Sequence, residues 1–146
     1  MAIDRADEAR LLAAARAARA ASYSPYSGFA VGAAVRGASG QIYRGTNVEN
    51  ASFGLTLCAE RVAVGAAVTA GERAITAIAI VAAPSAVPPC GACRQVLWEL
   101  WAHDQRDAPS VLIAAVDARD PIRRSVRSLL PEAFERASFF GDPPRA

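Results

Sequence analysis

The sequence predicts a three-layer α/β sandwich, with a central mixed sheet of about five strands between helices, as a single domain over residues 1–146. Apolar runs rich in Ile, Val and Ala at 74–82 and 109–116 are typical of buried strands. Segments with helical periodicity alternate with these runs, and this alternation favours helices packed on both faces of a sheet. The 146 residues suit one ordinary domain, with no linker or internal repeat.

The elements are predicted in the order α-β-β-α-β-α-β, with a short last strand. An amphipathic helix is expected over 3–21, and a loop of Ser, Tyr, Pro and Gly follows at 22–28. Strands at 29–36 and 41–46 flank a glycine turn and form a hairpin. The remaining predictions are helices at 59–70 and 91–102, strands at 74–82, 109–116 and 122–126, and a final turn of helix at 128–134.

Composition excludes several classes of function. The hydrophobic fraction of 53% argues against disorder, and a net charge of +2 is too small to indicate nucleic acid or a membrane surface. No apolar run is long enough to span a bilayer. The first 21 residues carry acidic side chains and lack the apolar core of a secretion signal, so we expect a cytoplasmic location. An arginine cluster near the C-terminus is interpreted as a solvated edge: Arg119, Arg123, Arg124 and Arg127.

The three cysteines are the strongest chemical signal. Cys90 and Cys93 form a Cys-x-x-Cys pair at a predicted helix start, where the positive helix end favours thiolates. Taken alone, the pair fits a redox motif as well as a metal site. Cys58 begins another predicted helix, and Cys-x-Glu followed by Pro-Cys-x-x-Cys matches the zinc deaminase signature with Cys in place of His. Three thiolates then leave one zinc position open for water. His103, the only histidine, lies ten residues past Cys93 and is expected to be an ordinary surface or helix-end residue.

Glu60 and Arg61, which closely follow Cys58, are predicted to assist the metal. Glu60 is near enough to move protons between the attacking water, a ring nitrogen and the leaving amine; alone it would be a solvated helix-start carboxylate. Arg61 is expected to offset the negative charge of three thiolates by hydrogen bonding to sulfur, with a plain surface charge as the alternative. A zinc-binding interaction module without catalysis is a rival function, and the intact Glu60 and the open fourth position argue against it.

The chain resembles the small homotetrameric cytidine deaminases along most of its length. The resemblance is carried by five ordered segments: Tyr23–Ala34, Gly45–Ser52, Thr56–Arg61, Pro89–Gln95 and Leu129–Phe134. It implies zinc-dependent hydrolysis of cytidine or deoxycytidine to the uracil nucleoside and ammonia, in pyrimidine salvage. Blasticidin S deaminases share the zinc motifs, so a deaminase of a modified cytosine nucleoside is the alternative. A nucleic-acid editor would need a basic groove with stacking aromatics, which the sequence does not indicate.

The resemblance also implies roles for residues outside the metal motifs. Phe29 would pack on the pyrimidine, and Asn47 and Glu49 would bind the sugar hydroxyls; without it they would be predicted as a turn Asn and a solvated Glu. The backbone N–H of Ala59 would donate to the pyrimidine carbonyl. Contacts between subunits near the site are implied for Tyr26, Phe53 and Phe134.

Three positions depart from the family pattern. Phe53 stands where Tyr is frequent, Pro88 where Ser or Thr is common, and Glu132 where a small residue is common. These departures affect substrate preference and leave the metal chemistry unchanged.

Overall fold

A computed structural model describes residues 3–141. Its five strands form one mixed sheet in the order β2-β1-β3-β4-β5. The strands are β1 (Gly32–Gly37), β2 (Ile42–Thr46), β3 (Ile75–Ala82), β4 (Val111–Ala115) and β5 (Ile122–Arg124). The helices are α1 (Arg5–Arg19), α2 (Ala59–Thr69), α3 (Gly91–Leu100), α4 (Val126–Leu129) and α5 (Ala137–Phe140), with 3-10 turns at Phe53–Leu55 and His103–Gln105.

The sheet has a helical layer on each face, so the predicted three-layer sandwich is confirmed. Alternating residues of β3 show the two faces: Ala77, Ala79 and Val81 pack towards α1, whereas Ile78 and Ile80 pack in the core beneath α2 and α3. This is the two-residue period of a strand buried on both faces. β3 is buried along its whole length, as its apolar run predicts.

Two glycines let helices approach the sheet closely. A Cβ on Gly32 would lie 2.0 Å from the Ala15 carbonyl oxygen of α1. A Cβ on Gly45 in β2 would lie 2.4 Å from the Ala59 carbonyl oxygen, in the first turn of α2. Any side chain at Gly45 would therefore displace the start of α2, which carries the segment around Cys58.

Strand direction brings three connections to one edge of the sheet. β1 is antiparallel to both β2 and β3, so the beginning of β1 lies beside the ends of its two neighbours. The segment before β1 contains Phe29, the segment after β2 contains Asn47, and the loop after β3 leads to Cys90. The topology thus collects residues far apart in sequence at a single edge.

Most elements lie within three residues of their predicted bounds, and the two largest differences are at the final helical turn and at the start of the first strand. The final helical turn is Val126–Leu129 and not 128–134, because the Ser125 hydroxyl caps it by accepting from the Ser128 N–H and Pro131 cannot continue a helix. The first strand starts at Gly32 and not at Phe29. The Val31 N–H and the Phe29 carbonyl bond to the side chain of Asn47 instead of to a neighbouring strand.

No helix among residues 3–141 is both long and apolar enough to cross a membrane.

Candidate active site

A cavity of about 270 Å³ opens at the edge of the sheet where the three connections meet. Cys58, Cys90 and Glu60 line this cavity together with Ala59 and the loop residues Phe29, Asn47 and Glu49, whereas the fully buried Cys93 is not among the lining residues. The walls also include apolar side chains that the sequence did not single out: Val31, Leu57, Ile80 and Val87. The cavity therefore brings together the predicted metal, catalytic and substrate-binding residues.

Helix starts position the thiols. Cys58 is the N-cap residue of α2 and Cys90 is the N-cap residue of α3, both with extended backbone angles, and Cys93 lies in the first turn of α3. The positive ends of both helices therefore face the sulfurs, which favours thiolates over thiols. Cys93 is fully buried, Cys58 is partly buried and Cys90 is exposed, so the cluster reaches from the core to the cavity.

The sulfur atoms fit a zinc ion. All three Sγ atoms lie within 4.8 Å of one another, and Cys58 Sγ is 3.9 Å from Cys90 Sγ. Tetrahedral zinc with Zn–S bonds of about 2.3 Å needs sulfurs about 3.8 Å apart. His103 lies exposed in a 3-10 turn and is outside this cluster, as predicted.

The contact between Cys58 and Cys93 shifts their pKa values in opposite directions. Hydrogen bonding from Cys93, with the Arg61 guanidinium also contributing, lowers the pKa of Cys58 to about 5. The same contact between the two thiols, together with burial, raises the pKa of Cys93. Protons remaining on the cluster must leave when a dication binds all three sulfurs, so metal affinity depends on pH.

Arg61 lies beside this cluster. Its Nη2 donates to the Thr56 carbonyl at 3.1 Å and is 3.9 Å from Cys58 Sγ. The carbonyl contact fixes the guanidinium so that its positive charge faces the sulfur. This geometry is consistent with the predicted charge compensation.

Glu60 is buried although it follows an N-cap. Its side chain lines the cavity, and only 6% of the residue is exposed. Burial, with the negative Cys58 adding to it, raises the pKa of Glu60 above its usual value. A carboxyl group in this setting accepts and releases protons closer to neutral pH than an exposed one.

Hydrogen bonds to backbone groups fix the orientation of the Asn47 side-chain amide. The Val31 N–H donates to Asn47 Oδ1 at 3.0 Å, and Asn47 Nδ2 donates to the Phe29 carbonyl at 2.7 Å. The Ser22 hydroxyl also donates to Oδ1. One N–H of the amide remains for a ligand in the cavity.

Glu49 is held by the loop before β1. Its Oε1 accepts from the N–H groups of Tyr26 and Ser27, at 3.0 and 3.1 Å, and its Oε2 accepts from the Ser27 hydroxyl. The hydroxyl and amide donors of Ser27, and then the Tyr26 amide, lower the pKa of Glu49. Sequence reasoning missed Ser22 and Ser27, and the only available signal was the hydroxyl-rich composition of this loop.

Three predicted contact residues lie outside the cavity lining. Tyr26 and Phe53 stack edge to face, with ring centroids 5.8 Å apart, and are 51% and 73% exposed. Phe134 is 66% exposed, so it is not a core aromatic within the single chain. Its carbonyl accepts from Gln95 Nε2 at 3.0 Å, which ties it to α3 near Cys93.

A cluster of three thiols and a buried carboxyl group at two helix starts defines a zinc-dependent hydrolase of the deaminase type. Comparison with known proteins agrees with this class. Residues 5–104 match the model of the cytidine and deoxycytidylate deaminase zinc-binding region. The chain belongs to the cytidine deaminase family.

Known cytidine deaminases are similar to the chain over most of its length. A cytidine deaminase from Halalkalibacterium halodurans is 46% identical over 129 residues, covering 88% of this chain and 94% of that protein. One from Mycobacterium tuberculosis is 44% identical over 119 residues, covering 80% and 81%. The 1.6 Å crystal structure of cytidine deaminase from Burkholderia pseudomallei superposes with a TM-score of 0.77 at 43% identity, covering 86% of this chain and 98% of that one.

Proposed function

We propose that this chain catalyses the zinc-dependent hydrolytic deamination of cytidine, deoxycytidine or both, giving the uracil nucleoside and ammonia. The observation that carries the proposal is that the buried Glu60 carboxyl group lines the same cavity as Cys58 and Cys90, two of the three clustered thiols. The named relatives are cytidine deaminases and share 44–46% identity with the chain.

The proposed chemistry divides between the metal and Glu60. Zinc, when held by Cys58, Cys90 and Cys93, supplies a Lewis acid that activates water towards the ring carbon bearing the amine. Glu60 takes a proton from the attacking water and gives it to the adjacent ring nitrogen. It then takes the remaining proton from the hydroxyl added to the ring carbon and delivers it to the amino group, which leaves as ammonia when the C–N bond breaks and the C=O bond forms. The raised pKa of Glu60 suits a group that must both accept and donate.

The rest of the cavity would hold the nucleoside. We assign the ring of Phe29 to the pyrimidine face and the free N–H of Ala59, the first residue of α2, to the pyrimidine carbonyl. One amide N–H of Asn47 and the carboxylate of Glu49 would bind the sugar hydroxyls. The carbonyl of Pro88, another lining residue, remains as an acceptor for the amino group.

The test is an ultraviolet assay with cytidine, deoxycytidine and blasticidin-type compounds, with and without a zinc chelator. We expect turnover of cytidine or deoxycytidine that the chelator abolishes and zinc restores. Turnover of the antibiotic alone would assign the chain to a deaminase of modified nucleosides. Activity that survives complete zinc removal would contradict the proposed chemistry.

We further propose that the chain forms a homotetramer in which neighbours complete each site. The exposed rings of Tyr26, Phe53 and Phe134 support this, because exposed aromatic clusters usually mark a partner. The ring of Phe134 also contacts Phe139, 5.0 Å away between centroids, so the exposed apolar surface at Phe134 extends to Phe139.

Phe134→Ala tests the assembly. Activity and tetramer content should fall together while zinc stays bound, as measured by light scattering and metal analysis. A fully active wild-type monomer at assay concentration would show that one chain builds its pocket alone. We place the enzyme in cytoplasmic pyrimidine salvage, since free thiol ligands suit a reducing compartment.

A further inference from the structure

Backbone hydrogen bonds align the loop before β1 with the segment after β2. The Glu49 N–H donates to the Tyr23 carbonyl at 2.8 Å, and the Tyr23 N–H donates to the Asn47 carbonyl at 3.2 Å. Tyr23 and Val48 form a parallel bridge between these two contacts. The loop is thus in register with the segment that carries both proposed sugar-binding side chains.

The hydroxyl of Ser27 has a direction set by its neighbours. Its oxygen accepts the Phe29 N–H at 3.0 Å, which occupies one lone pair. The hydroxyl proton is then donated to Oε2 of Glu49, while the Ser27 N–H donates to Oε1 at 3.1 Å. One residue therefore contacts both carboxylate oxygens of Glu49 and the backbone of Phe29.

Among residues 3–141, no cationic side chain pairs with the carboxylate of Glu49. Its charge is stabilised by the hydroxyl and amide donors of the loop. Oε1 accepts two N–H groups, whereas Oε2 accepts only the Ser27 hydroxyl and keeps one lone pair. A neutral ligand with hydroxyl groups matches that remaining acceptor capacity.

We infer that Ser27 is a positioning residue: it orients the Glu49 carboxylate as the acceptor for a sugar hydroxyl and links that acceptor to the Phe29 ring position. This inference rests on the proposed function. Ser27 would then contribute to the discrimination between substrates with and without sugar hydroxyls, although it need not contact the sugar. Ser27 is exposed at the cavity lining, so its removal leaves the core unchanged.

The experiment measures KM and kcat of Ser27→Ala with cytidine and with 2′,3′-dideoxycytidine, which lacks both ring hydroxyls. With cytidine, kcat/KM should fall roughly 5- to 30-fold, mostly through KM, because the variant removes a hydrogen bond to a charged group. With dideoxycytidine, the change should stay below about two-fold, since no hydroxyl depends on Glu49. Ser52→Ala is the matched control, because it removes an exposed hydroxyl from the segment after β2 that makes no side-chain hydrogen bond among residues 3–141.

A double-mutant cycle shows whether Ser27 acts through Glu49. In a Glu49→Ala background, Ser27→Ala should change kcat/KM for cytidine by less than about two-fold, because its target is already absent. Equal losses with both substrates, additive losses in the cycle, or no loss at all would each overturn the inference. If zinc-loaded wild type turned over neither substrate, the proposed function would fail first and the inference with it.

Discussion

The two ends of α2 carry two buried glutamates with opposite environments. Glu60 in the first turn is 6% exposed and Glu72, just beyond the last turn, is 8% exposed, but Glu60 is enclosed by more of the protein. Glu72 accepts from the Tyr43 hydroxyl at 3.2 Å and from the hydroxyl and N–H of Ser39. Among residues 3–141, no hydroxyl or amide side chain donates to Glu60, which instead lies beside the thiols.

The pKa values of Glu60 and Glu72 shift in opposite directions. The Ser39 hydroxyl, followed by the Ser39 N–H and the Tyr43 hydroxyl, lowers the pKa of Glu72, whereas burial raises the pKa of Glu60. The donors around Glu72 stabilise its ionised form, which contributes to stability. At Glu60 burial outweighs the hydrogen bonds, so the carboxyl group is available for proton transfer. We therefore expect substitutions near Glu60 to affect activity and substitutions at Glu72 to affect stability.

The largest effect is expected from removing a metal ligand. Cys93→Ala leaves two sulfurs, so zinc content and activity should both fall to near zero, as metal analysis and the ultraviolet assay would show. Glu72→Gln serves as the control, because it should keep a full complement of zinc. A metal-free Cys93→Ala protein with full activity would remove this cluster from the mechanism.

The next effect is expected from Glu60→Gln, which keeps the size of the side chain but cannot carry a proton. We expect a loss in kcat of about 10⁴-fold, the upper end for general acid–base catalysis, because one group serves several transfers. Zinc content and the urea midpoint should remain near wild type, which separates proton transfer from metal binding. A loss of only a few-fold would make Glu60 a bystander.

An intermediate effect is expected at Asn47, a buried side chain that is bonded by the protein and also lines the cavity. Asn47→Ala should lower stability by about 1–3 kcal/mol, because it removes the partners of the Val31 N–H and the Phe29 carbonyl. It should also weaken the binding of cytidine much more than the binding of free cytosine, which has no sugar hydroxyls. Asn50→Ala is the matched control, since Asn50 is an exposed residue whose Oδ1 accepts the Ser52 N–H. Equal weakening of both substrates would reject a role in sugar binding.

The sequence predicted the parts of the molecule that repeat a local pattern. The helix at 59–70 and the strand at 74–82 match α2 and β3 closely, because Gly71 ends the one and an unbroken apolar run defines the other. The cysteine trio was predicted because metal-ligand spacing at helix starts is also local. The short helix at Ala137–Phe140 was missed, since four residues are too few to show periodicity.

The hydrogen bonds that hold the cavity could not be predicted in this way. Ser27 and Glu49 are 22 residues apart in the sequence and lie in two separate loops that only the folded sheet brings together. The different environments of Glu60 and Glu72 arise for the same reason, because the partners of Glu72 come from the β1–β2 turn and from β2. Sequence patterns identify the reacting groups, and tertiary contacts decide how each carboxyl group ionises.

The smallest effect is expected from Glu72→Gln, and it should fall on stability alone. Gln keeps one acceptor oxygen but loses the charge that Ser39 and Tyr43 stabilise, so the free energy of unfolding should fall by about 1 kcal/mol at pH 7. Gly37 leaves room for this group, since a Cβ there would lie 2.1 Å from the Glu72 carboxyl carbon, and an isosteric change keeps this fit. Activity per bound zinc should match wild type.

The pH dependence of this difference gives the sharper test. The pKa of folded Glu72 lies below its unfolded value, so its stabilising contribution is complete above the unfolded pKa, 4.5, and is lost as the pH falls through the folded pKa. The gap between wild type and Glu72→Gln in urea unfolding should therefore be full at pH 7 and shrink below pH 4.5. Subtracting the free energy of unfolding of the variant from that of wild type cancels the titration of all groups that the two proteins share. A gap that stays constant with pH would mean that Glu72 acts through packing and not through its charge, and the contrast with Glu60 would then not be electrostatic.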